Sequence, residues 1–132
     1  MNLQLHCVIR KDLGFNVGLM SAQVAHLAME QLRQMIRDEA FKNSKDYVVE
    51  NVMKWLVKPY TIVHEVPCKE ALEFYLAKSR SLNVKTYEWR DTVFVSLGSK
   101  KEALADVLVG FAFEVADADR IKSVIGDLPL LS

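Results

Sequence analysis

The feature that most constrains this chain is a change of hydrophobic period near its start. Leu3-Gln4-Leu5-His6-Cys7-Val8-Ile9 alternates and then turns continuously apolar, the pattern of a strand that enters a core. From Val17 the apolar residues recur at Met20, Val24, Leu27, Ala28, Leu32, Met35 and Ile36, three and four apart, with Gln23, Glu30, Gln31, Arg33 and Arg37 mostly on the other side. That spacing predicts an amphipathic helix of several turns. Asn16 is placed to cap it, and Gly18 falls in its first turn, where a missing side chain lets a ligand or another backbone approach.

The same alternation continues. Glu39 to Ser44 is polar and reads as a connection; Val48, Val49, Val52, Met53 and Leu56 predict a second helix, ended by Pro59. Tyr60 to Val66 is a β-branched run, and Pro67 opens a third helix through Ala71, Leu72, Tyr75, Leu76 and Ser79, with Leu82-Asn83 at its end. Val84 to Trp89 and Thr92 to Leu97 read as two extended runs across a turn at Arg90-Asp91. Ser99 to Ala105 reads as a loop or helical turn before an apolar strand from Val107 to Phe113, and Asp117 caps a last helix closed by Gly126. The expected fold is α/β, one domain over residues 1–132, with a small mixed sheet of about four strands sandwiched by helices.

Composition narrows the function. Lys+Arg 17 against Asp+Glu 17 leaves no net charge, so any contact with nucleic acid must come from a local patch. Charged residues interrupt every apolar run before the ~18 residues that a membrane span needs, and the chain is expected to work in the cytoplasm without a membrane partner. Two cysteines without metal-type spacing, Cys7 and Cys68, fit a reducing compartment. His6, Cys7, His64 and Cys68 offer no close ligand pair, so no metal is expected. Trp55 and Trp89 read as apolar anchors rather than as base-stacking platforms.

The passage from Val8 to His26 resembles the second-class, archaeal and eukaryotic type of peptidyl-tRNA hydrolase, whose first strand runs into Arg-x-Asp-Leu, a short loop, Gly-Lys and a helix with Ala-Gln-x-x-His. Arg10, Asp12, Leu13, Gly18, Ala22, Gln23 and His26 match at that spacing. Val63 to Leu72, Val84 to Thr92, Gly98-Ser99 and Val107 to Gly110 are similar, more loosely, to the segments that follow. The chain departs from the pattern at Leu19, where the family carries Lys after Gly, at Glu65 in place of a second-strand Lys, and at Asp91 where the site loop carries Arg.

The resemblance implies hydrolysis of the ester that joins a peptide to the 3′ end of tRNA, without metal or cofactor. It assigns Glu88 as base or water-orienting group and Thr92 as its hydrogen-bonding partner, with Arg10, Asp12, Gln23, His26, Gly98 and Ser99 on the substrate. Each has a plainer reading: Arg10 and Asp12 as an ion pair closing a turn, His26 as a half-buried helix histidine, Glu88 as a solvated carboxylate. The loss of two cations also fits a second function, a catalytically silent module that binds a ligand or protein in the same cleft. A homodimer is expected because Val48, Val52 and Trp55 exceed what a small sheet covers.

Overall fold

The computed structural model describes residues 2–42, 47–97 and 100–132. In chain order they form β1 (Leu3–Arg10), α1 (Val17–Lys42), α2 (Tyr47–Trp55), β2 (Thr61–Val66), α3 (Lys69–Ser81), β3 (Thr86–Leu97), β4 (Lys100–Phe113), β5 (Ala116–Asp117) and α4 (Ala118–Ile125). The sheet runs β2-β1-β4-β3, with β5 pairing the start of β1. β1 and β2 are parallel, and the other pairings are antiparallel. This is the mixed sheet between helices that the alternating periods predict.

β1 is central, which explains its apolar end: both faces are covered. Leu5, Cys7 and Ile9 pack with Leu27 and Met35 of α1 and Val52 and Trp55 of α2. Val8 points the other way, into a second core with Leu72 and Leu76 of α3 and Ile121 and Val124 of α4. Gly110 of β4 sits opposite Ile9. A side chain there would run into the Val8 carbonyl oxygen and lie 3.2 Å from Ile9 Cα and 3.3 Å from Leu27 Cδ1, so only glycine lets β4 approach β1 beneath α1.

Several expectations need correction. The polar stretch from Glu39 is not yet a connection, because α1 runs on to Lys42; polarity without Gly or Pro does not end a helix. Pro67 lies outside α3, whose N-cap is Cys68 in extended conformation. Arg90-Asp91 is no turn: β3 passes through as one strand, and irregular register at Trp89/Arg90 and Asp91/Val93 absorbs the extra residues. Asp106 on β4, opposite that irregularity, has φ 55°. The segment expected to be loop or helical turn is strand from Lys100, in a β3–β4 arm whose Lys100 to Asp106 residues are all exposed and so carry no alternation of burial. Val52 and Trp55 are 2% and 7% exposed, and the Trp55 indole donates to Tyr60 O at 2.8 Å. The stated basis for a dimer therefore lies in the core, apart from the Val48 side chain, which is outside the described residues.

The outer edge of β2 is closed by the C-terminal residues. Glu65 N–H donates to Pro129 O and Leu131 N–H to Val63 O, at 3.0 and 2.9 Å.

Candidate active site

The site begins with a cap. Asn16 Oδ1 accepts from Leu19 N–H at 2.9 Å, and Asn16 O accepts from Met20 N–H at 2.8 Å, which starts α1 as its sequence predicts. With that phase set, Gln23 and Leu27 face the sheet and are buried, while His26 stays exposed at the border.

Gln23 joins two residues of β3. Its Oε1 accepts from the Trp89 indole N–H at 2.7 Å, and its Nε2 donates to Asp91 Oδ2 at 3.1 Å. The other Asp91 oxygen accepts from Thr92 N–H at 2.8 Å. The His26 ring stacks on Trp89, with centroids 4.8 Å apart and planes 25° from parallel. Gln23 and His26 of α1 are thus brought to Trp89 and Asp91 of β3, and Thr92 joins them through its backbone N–H.

Glu88 is not in this group. Side chains alternate along a strand, so with Trp89 and Asp91 facing α1, Glu88 and Arg90 face α3. Glu88 Oε1 lies 3.8 Å from the Arg90 guanidinium, in a shallow pocket shared with Glu73, Leu76 and Arg80. Gly98 and Ser99 lie outside the described residues. Asp91 and Trp89, which the sequence does not single out for this site, join the group instead, and their spacing of two along β3 is the signal that puts them on one face.

Arg10 and Asp12 close the loop between β1 and α1. Arg10 donates through Nε and Nη2 to the two Asp12 oxygens at 3.0 and 2.8 Å, and through Nη1 to Leu108 O at 3.1 Å. The hydrogen bond from Arg10 holds the Asp12 carboxyl below the usual carboxylate range, and the same bond raises the Arg10 guanidinium. Arg10 is 8% exposed, so its charge is directed inward. Lys11 is likewise engaged, 3.0 Å from Glu65 Oε2 and 3.1 Å from Ser132 O. It stands between two grooves, one of about 510 Å³ bounded by Asp12, Glu65, Pro67 and Pro129, the other of about 370 Å³ along Phe15, Asn16, Val17 and Met20. Leu19, where a lysine would project, is 52% exposed.

His6, Cys7, His64 and Cys68 fall in different places. His6 and His64 stack within the α3–α4 face, Cys7 is buried under α1, and Cys68 precedes α3. Chemically, the Gln23–Asp91–Thr92 string offers a carboxylate with both oxygens held, each retaining a lone pair for water.

The profile of the family described as peptidyl-tRNA hydrolase PTH2 matches residues 3–131. The chain belongs to this family. Comparison with curated proteins gives no match. Membership in the PTH2 family accounts for the shared strand, loop and helix from Arg10 to His26, and for the mixed sheet that carries them. No helix among the described residues is long and apolar enough to cross a membrane.

Proposed function

We propose that this chain is a peptidyl-tRNA hydrolase-like protein that cleaves the ester at the tRNA 3′ end on its α1–β3 face. Asp91 takes the role that the family resemblance implies for Glu88: it orients a water, and the Thr92 hydroxyl partners the reacting oxygen. The observation that carries this is the string Trp89–Gln23–Asp91–Thr92, in which the Asp91 carboxylate is held at both oxygens, by the Gln23 side chain and the Thr92 backbone N–H. Ester attack by water needs a base and a donor for the developing oxyanion; Asp91 supplies the first, and the family pattern assigns the second to the Thr92 hydroxyl. The reaction uses the chain's own groups, and slow turnover is expected, since the loss of one oxyanion-type contact costs ~10²- to 10³-fold in rate.

The second reading, a silent binding module, has its own support. Leu19 puts no charge in the first turn of α1, and Arg10 and Lys11 are both neutralised by carboxylates, Asp12 and Glu65. Single-turnover cleavage of peptidyl-tRNA at low salt, with binding measured on the same sample, separates the two. Cleavage above the protein-free rate supports the hydrolase; binding without cleavage supports the module.

A further inference from the structure

Trp89 and His26 form a stack that the ester chemistry does not use. The indole is held in place by its N–H bond to Gln23 Oε1, and it packs against the core beneath α1. The His26 ring lies over it nearly parallel, is exposed, and makes no hydrogen bond to the described residues. A solvent-facing imidazole with no hydrogen bond is ordinarily free to rotate; here it is laid flat on a fixed indole, leaving its outer face open. Met29, one helical turn further along α1 and 65% exposed, gives that face an apolar lip.

We propose that the outer face of His26, backed by Trp89, is a stacking site for an unpaired nucleobase, the terminal base of the nucleic acid whose ester is cleaved. A flat ring held on a second ring is the arrangement that single-stranded bases use on proteins, and it needs no net positive charge. That suits a chain with none to spare. Gln23 serves both halves: through Oε1 it fixes the platform, and through Nε2 it fixes Asp91, so a base on His26 sets its own ribose ester near the carboxylate. The site rests on the reading of this face as the substrate face and names which part of the substrate binds where.

The test uses the trinucleotide cytidylyl-cytidylyl-adenosine, the same oligomer lacking its last base, and the intact protein, with affinity read by calorimetry. The full trinucleotide is expected to bind about tenfold more tightly than the abasic one. His26→Ala should remove that difference, and His26→Phe, which keeps a flat ring, should restore it. Equal affinity of the two oligomers for the unmodified protein, or an undiminished preference in a folded His26→Ala variant, overturns the stacking site. Peptidyl-tRNA cleavage measured alongside keeps the two ideas apart. Cleavage without a base preference sinks the stacking site alone, and a base preference without cleavage sinks the hydrolase reading alone.

Discussion

The Trp89 indole nitrogen can only donate, and that decides which way the Gln23 carboxamide points. With Oε1 held by Trp89 at 2.7 Å, the amide nitrogen must face Asp91, 3.1 Å away. Gln23→Glu keeps the bond to Trp89 but sets a carboxylate against Asp91. We expect a loss of about 1 to 3 kcal/mol at pH 7, measured by denaturant unfolding. The deficit should shrink as pH falls through the carboxylate range, because protonating either group removes the repulsion.

His6 and His64 give the fold a pH dependence of its own. His6 Nδ1 and His64 Nε2 are 2.8 Å apart, His6 Nε2 meets Gln4 Oε1 at 2.8 Å, and His64 Nδ1 meets Leu128 O at 3.2 Å. Burial, and then the neighbouring His64, lowers His6 to about 4; burial also lowers His64. Between pH 6.5 and 4 the unfolded chain therefore binds the extra proton, so stability is full above 6.5 and falls as pH drops toward 4. His6 alone accounts for at most about 3 kcal/mol of that loss. Urea unfolding from pH 7.5 to 4 tests it, and His6→Gln should flatten the slope.

Gly110→Ala tests how closely β4 must approach β1. The added methyl meets backbone of β1 rather than the end of a flexible side chain, so neither strand can yield alone. A loss of about 2 to 3 kcal/mol is expected in unfolding measurements.

The cations of the loop are present but engaged. Glu65→Gln removes the partner of Lys11, and Leu19→Lys adds a charge to the first turn of α1. Each change should steepen the salt dependence of tRNA binding by about one unit of log–log slope, and the double variant by about two. Filter binding from 50 to 200 mM salt reads this directly; an unchanged slope would mean that tRNA does not reach this loop.

The start of the chain was legible because β1 and α1 are each long enough to show their period, and because Asn16, Gln23 and His26 sit in one motif. The far edge was not. Arg90-Asp91 has the composition of a turn, and only pairing with β4 shows a strand that absorbs an irregularity there. Lys100 to Asp106 is exposed throughout, so nothing in its polarity marks a strand. The family pattern assigns the carboxylate role to Glu88 by its place four residues before Thr92, and a strand read through that point puts Glu88 and Asp91 on opposite faces.

The most direct test compares Asp91→Asn with Glu88→Gln in single-turnover cleavage of peptidyl-tRNA at low salt. The account predicts that Asp91→Asn lowers the rate by about 10²-fold or more, while Glu88→Gln stays within about threefold of the unmodified protein. Loss of cleavage in Glu88→Gln with Asp91→Asn still active would contradict it, as would an unmodified protein that cleaves no faster than the protein-free reaction.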